Sequence, residues 1–160
     1  MPTASTSITT LAAVIDLVIS LEKYGRDFYA QASEMASEPE CKAFFSWLVE
    51  QEDDHHKTYL TLKKQTLNVD LPQEKLLGGY GQFIEMLVRE VTENLIVSAN
   101  PTLDDAIAKS LLFEESVVRY FEKVKILFPA EQARVIEEIC AEERKHIDAI
   151  LEYTAHFEVS

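Results

Sequence analysis

Cysteine is almost missing from this chain: Cys41 and Cys140 stand alone, with no CxxC and no second pair. That excludes a disulfide scaffold and a cysteine-built metal module. Two unpaired thiols suit a reducing compartment, so a cytoplasmic location is expected. Basic residues are scarce as well, 15 Lys plus Arg against 28 Asp plus Glu, for a formal charge of −13. Nucleic-acid backbones and anionic membrane surfaces both require a basic patch, so neither is expected as a partner. No long apolar run is present either. The stretch Leu11 to Ile19 is interrupted by Asp16 and lacks a basic leader, so it reads as neither signal peptide nor membrane span. What remains is one domain over residues 1–160, with 47% apolar residues to fill a core.

Glycine and proline are few, and they fall at boundaries. Three of the four glycines cluster at Gly78, Gly79 and Gly81, and Pro39, Pro72, Pro101 and Pro129 separate stretches with helical apolar spacing. Period-two alternation is absent, so the chain reads as all-α. The first long helix is expected from about Leu11 to Met35. The second follows Ser37-Glu38-Pro39-Glu40, which reads as a capping box, and runs to about Leu67. Thr102-Leu103-Asp104-Asp105 opens the third, and the fourth runs from Pro129 to about His156. Short links make each pair antiparallel neighbours. The connection from about Asn68 to Pro101 is too long for a plain loop, and Phe83, Met86, Leu87 and Val91 predict a shorter helix over Gln82 to Leu95. Two antiparallel hairpins joined by a long crossover form the ferritin-like version of the four-helix bundle.

Each apolar seam turns polar near its middle. The first reads Leu11, Ile15, Val18, Glu22, Gly25, Tyr29, Ala32; the second Phe45, Leu48, Glu52, His55, Tyr59, Leu62. The third reads Ile107, Ser110, Glu114, Val117, Phe121, Val124, Phe128, and the fourth Ile136, Ile139, Glu143, His146, Ile150, Tyr153, Phe157. An unpaired buried carboxylate costs several kcal/mol or titrates to neutrality. Four in one small core need a common counter-charge, and two divalent cations would close −4 with +4.

Glu-x-x-His puts both side chains on one helix face a turn apart, and it occurs twice, at Glu52/His55 and Glu143/His146. Glu22 and Glu114 add one carboxylate from each remaining helix. The half-site repeats: Glu22 and Glu114 are 92 residues apart, and both members of the Glu-x-x-His pair recur after 91. Carboxylate with neutral imidazole suits iron or manganese better than a thiolate-loving metal. Asp53-x-x-His56 is the competing register on the second helix and is expected to be exposed; Glu115 competes with Glu114 on the third. Tyr29, two turns beyond Glu22, is either a core tyrosine with a satisfied hydroxyl or a hydrogen-bond donor or one-electron relay beside the metals. Gly25 either leaves room for substrate or accommodates packing. Cys41, Cys140 and His156 read as structural or surface residues.

With these residues in hand, the chain resembles the rubrerythrin-like branch of the ferritin-like superfamily. Glu22-Lys23-Tyr24-Gly25-Arg26-Asp27-Phe28-Tyr29 looks like its first-helix signature, Glu114 to Phe121 like the repeat of that signature, and Glu142-Glu143-Arg144-Lys145-His146-Ile147 like its fourth-helix signature. Two departures stand out. Val117 sits where rubrerythrins usually carry a further Glu, and their four-cysteine rubredoxin module is not in this sequence. The six-residue set, Glu22, Glu52, His55, Glu114, Glu143 and His146, looks instead like the more symmetrical site of bacterioferritin. No fifth, ferritin-type helix is expected after Phe157.

The resemblance implies a cytoplasmic non-haem oxidoreductase with two iron ions, manganese or a mixed pair being the alternatives, that reduces hydrogen peroxide or dioxygen. Glu52 and Glu143 would bridge the ions, Glu22 with His55 completing one and Glu114 with His146 the other. Ferroxidase action and iron binding without turnover are the competing functions. An external electron donor is implied, and a homodimer is expected from the family likeness and the prevalence of two-fold assemblies.

Overall fold

A computed structural model describes residues 10–70, 79–93 and 102–158. The Ser/Thr-rich start, Gly78, Leu95, and the prolines at 72 and 101 lie outside the described residues, as do the side chains of Val91, His156 and Phe157. The described residues form five α-helices and no strand: α1 (Leu11–Met35), α2 (Pro39–Gln65), α3 (Tyr80–Glu93), α4 (Leu103–Val124) and α5 (Ala130–Glu158). None of them is long and apolar enough to cross a membrane.

Helix starts follow local chemistry. The Thr10 side chain accepts from Ala13 N–H at 3.2 Å, and the Thr102 side chain accepts from Asp105 N–H at 3.1 Å. Each such cap contributes about 1 kcal/mol by satisfying a donor that the helix cannot. The expected capping box at Ser37 is not formed. Glu38 occupies the cap position without a side-chain bond, because Pro39 takes the first helical position, where its fixed φ suits the helix. α2 ends at Gln65, two residues early, with Thr66 as its cap. Phe128, expected on the seam of the third helix, instead lies beyond it. α4 stops at Val124, a single 3-10 turn covers Lys125–Leu127, and Phe128 is extended (φ −93°, ψ 144°). Pro129 causes this, since its ring disfavours helical backbone in the residue before it.

The two hairpins, α1–α2 and α4–α5, are the densest packing units, and α3 lies against α1 and α4. The ends of the first hairpin meet where Leu11 N–H donates to the Val69 carbonyl at 3.0 Å, which fixes its antiparallel sense. Aromatic rings join the hairpins: Tyr29 packs edge-on against Phe113, Tyr59 stacks on Phe121, and Phe44 stacks on Tyr153 with centroids 3.9 Å apart. Gly25 serves this packing. A Cβ built there would overlap the Phe113 ring, so the glycine admits an aromatic from α4 rather than a substrate. The arrangement is a ferritin-like helical bundle whose buried seams run through the centre.

Candidate metal centre

The structure brings the six side chains named from the sequence together at mid-bundle. Glu22, Glu52, Glu114, Glu143 and His146 are buried, and His55 is nearly so. The competing residues face outward: His56 and Glu115 are exposed, and Asp53 is half-exposed. The helical phase of each seam decides this, because a one-residue step rotates a side chain about 100° away from the core.

The geometry is two-fold in kind. The Nδ1 of His55 lies 3.0 Å from Glu143 Oε1, 3.8 Å from Glu52 Oε2 and 3.8 Å from Glu22 Oε2. The Nδ1 of His146 lies 3.4 Å from Glu143 Oε2, 4.0 Å from Glu52 Oε1 and 3.7 Å from Glu114 Oε2. Glu52 and Glu143 therefore turn one oxygen toward each imidazole, whereas Glu22 faces only His55 and Glu114 only His146. The imidazoles stack at 4.6 Å with 13° between planes. Three overlapping groups of candidate ligands result: Glu22/His55/Glu143, Glu114/Glu143/His146 and Glu52/His55/His146, each with its ligand atoms within 4.8 Å of one another.

Hydrogen bonds leave much of this cluster unsatisfied. Both Glu52 oxygens, one oxygen each of Glu22, Glu114 and Glu143, and the Nδ1 of both histidines are buried without a hydrogen-bond partner. The 3.0 Å approach of His55 to Glu143 is thus short in distance but not aligned as a hydrogen bond. Native proteins leave few such atoms, since each costs about 1–3 kcal/mol. Seven acceptor-type atoms aimed inward fit a cation held among them. The donor set, carboxylate and imidazole without thiolate, fits hard or borderline divalent metals, and neither buried cysteine joins it.

Without a cation, protons must balance the charge. Burial raises Glu52 well above the usual carboxylate range, with Glu22 adding to the effect. Burial also lifts Glu114 to about 7 against the opposing pull of His146. For the imidazoles burial works the other way, but Glu143 and Glu22 outweigh it and raise His55 to about 11, while Glu114 and Glu143 raise His146 to about 9. Glu143 would be raised by burial, yet the two histidines beside it hold it well below the usual range.

Two tyrosines anchor the carboxylates. Tyr29, fully buried, donates to Glu114 Oε1 at 2.5 Å. The hydroxyl is satisfied, but by a carboxylate of the opposite hairpin rather than by Glu22 on its own helix. Tyr59 donates to Glu143 Oε1 at 2.8 Å and to Glu22 Oε1 at 3.3 Å. Sequence reasoning placed Tyr59 on the seam and gave it no role. A signal was available: Tyr59 follows Glu52 by seven residues, as Tyr29 follows Glu22. Burial and the neighbouring carboxylates push both phenols well above their ordinary range, so they remain donors. Trp47, the single tryptophan, packs edge-on against His146 with centroids 6.2 Å apart.

Searches of curated proteins and of solved structures find no match to this chain. Residues 14–154, spanning all six converging side chains and both anchoring tyrosines, match the rubrerythrin family, and the chain belongs to that family and so to the ferritin-like di-iron carboxylate superfamily.

Proposed function

We propose that the six side chains hold two iron ions and that the protein is a non-haem oxidoreductase reducing hydrogen peroxide or dioxygen. Glu52 and Glu143 would serve both half-sites, because each presents one oxygen to each imidazole. Glu22 with His55 and Glu114 with His146 complete the two half-sites. The observation that carries the reading is the set of buried carboxylate and imidazole atoms that face inward without hydrogen-bond partners.

Bound there, a ferrous pair supplies one electron per ion, matching the two electrons and two protons that convert hydrogen peroxide to two waters. The chain's own residues do the rest. Tyr59 holds Glu143 and Glu22 in place and Tyr29 holds Glu114, so three of the four carboxylates enter the site already oriented. Phe45 and Phe113 pack on Tyr29, and Phe121 on Tyr59, so buried apolar rings back the two tyrosines that touch the cluster, which limits water and strengthens electrostatic interactions there. Each further cycle needs two electrons from a donor outside the six-residue cluster.

Metal analysis of freshly purified protein, followed by peroxide consumption with a supplied reductant, tests this. Two irons per chain and sustained turnover are expected. Full iron content with no turnover would reduce the protein to a binder, and metal content that survives His55→Ala unchanged would refute the ligand assignment.

A further inference from the structure

Between α1 and α2 lies a cavity of about 440 Å³ whose two buried lining residues are Glu22 and Glu52. Around them stand Ser20, Lys23, Arg26, Asp27 and Asp53. One contact crosses the two helices here. The Arg26 guanidinium forks onto Asp53, with Nε to Oδ1 at 2.5 Å and a second nitrogen to Oδ2 at 3.4 Å. Arg26 is one turn beyond Glu22, and Asp53 is the residue after Glu52. The ion pair therefore spans the space outside the two carboxylates, and both partners are about half exposed.

The chain supplies its own comparison. By the 92- and 91-residue repeat, Ile19, Ser20, Arg26, Asp53 and His56 correspond to Leu111, Leu112, Val118, Arg144 and Ile147. Lys23 and Asp27 match Glu115 and Arg119, so both faces carry charge, but at positions 20, 26 and 56 the face outside Glu22 and Glu52 is polar where its counterpart is aliphatic. Val118 is buried there, where Arg26 stands half-exposed on the other side. Arg144 pairs instead with Glu122, one turn further along α4. Two faces built on one backbone plan have diverged in chemistry, and the polar one meets the cluster.

We propose that the α1–α2 cavity is the route by which a small, uncharged oxidant reaches the cluster, and that the Arg26–Asp53 pair is its gate. This deepens the reading above and rests on it. Lys23 and Arg26 balance Asp27 and Asp53, so once metal neutralises Glu22 and Glu52 the passage carries no surplus of carboxylates to draw cations. At about 30 Å³ for each water-sized molecule, the space admits hydrogen peroxide or dioxygen easily.

The test blocks and then opens the passage. Ser20→Cys places a thiol at the exposed rim, where a bulky maleimide will react selectively because Cys41 and Cys140 are both buried. Leu112→Cys, half-exposed at the repeat-related position, carries the same label as control. After loading with iron and confirming two ions per chain, two rates are read: oxidation of the ferrous protein by hydrogen peroxide, and association of uncharged nitric oxide with the ferrous protein under anaerobic conditions. Label at position 20 is expected to slow both at least tenfold, and label at 112 less than twofold. Equal effects at both positions, or none at 20, would overturn the route. Arg26→Ala is expected to speed nitric oxide association several-fold, and an unchanged rate would overturn the gate. Failure to take up iron in the unmodified protein would instead sink the proposed function, so the two failures are told apart.

Discussion

Protons take the place of metal in the metal-free form of the cluster, and this fixes how metal affinity must depend on pH. His55 and His146, raised to about 11 and about 9, each carry a proton at pH 7; Glu114, near 7, carries part of one, and burial shifts Glu52 toward its protonated form. Metal ligation requires all four groups deprotonated. Binding a divalent pair at pH 7 should therefore release at least about two protons, those of the histidines, with the carboxylates adding to them. A group protonated in the free state and bare in the bound state makes binding weaken as pH falls. Near neutrality the overall constant for the pair should drop by roughly two or more orders of magnitude per pH unit, or at least ~3 kcal/mol. Above pH 9 the dependence should become shallower, because His146 has already lost its proton. Anaerobic calorimetry with ferrous or cobaltous ion, repeated in buffers of different ionisation enthalpy, counts the protons directly. Release of fewer than two per pair would refute the argument, because it would mean that the histidines sit neutral among four carboxylates.

The same groups set an opposite trend in the metal-free protein. Glu114 binds its proton more tightly folded than unfolded between about pH 4.5 and 7, and His146 does so between about 6.5 and 9, so metal-free stability should fall as pH rises through those windows. Thermal melts at pH 5.5, 7 and 8.5 should show a falling Tm without metal and a rising one with it; parallel curves would contradict the assignment. Tyr59→Phe leaves Glu143 and Glu22 each short of a donor, so it should cost ~2 kcal/mol, about 4–8 °C in Tm, and speed chelator extraction of metal. An unchanged extraction rate would leave Tyr59 a packing residue. Gly25→Ala pushes a methyl into the Phe113 ring and should destabilise the fold by about 1–3 kcal/mol whether or not metal is bound, as chemical denaturation would show.

Helices were readable because their punctuation is chemical. Thr102 caps the helix that the sequence opens there, and α1, capped by Thr10, has the bounds that its apolar period gave. Errors gathered where two local rules compete. Ser37 offered a capping box, but Pro39 moved the start by one residue; the seam of the third helix continued to Phe128, but Pro129 forced that residue out of helical backbone. Period alone counts apolar positions and does not weigh proline's reach onto its neighbour.

The convergence of six side chains was legible for a different reason: a buried carboxylate is costly, and the 91- and 92-residue repeat marked the same position four times over. Contacts between hairpins were not legible, since sequence spacing reports only neighbours along one helix. Tyr29 shows the limit. Its seven-residue interval correctly placed it on the face of Glu22, yet its hydroxyl crosses the core to Glu114. Tyr59 crosses too, to Glu143, while also reaching Glu22 within its own hairpin. The repeat explains why tyrosine is not needed four times. At the positions matching Tyr29 and Tyr59 stand Phe121 and Ile150, which have no hydroxyl to give. One hairpin thus supplies both donors, and the other supplies Glu114 and Glu143 to receive them. The hydrogen bonds that order the carboxylates are also those that lock the hairpins in register, so loss of either tyrosine loosens the site and the bundle together.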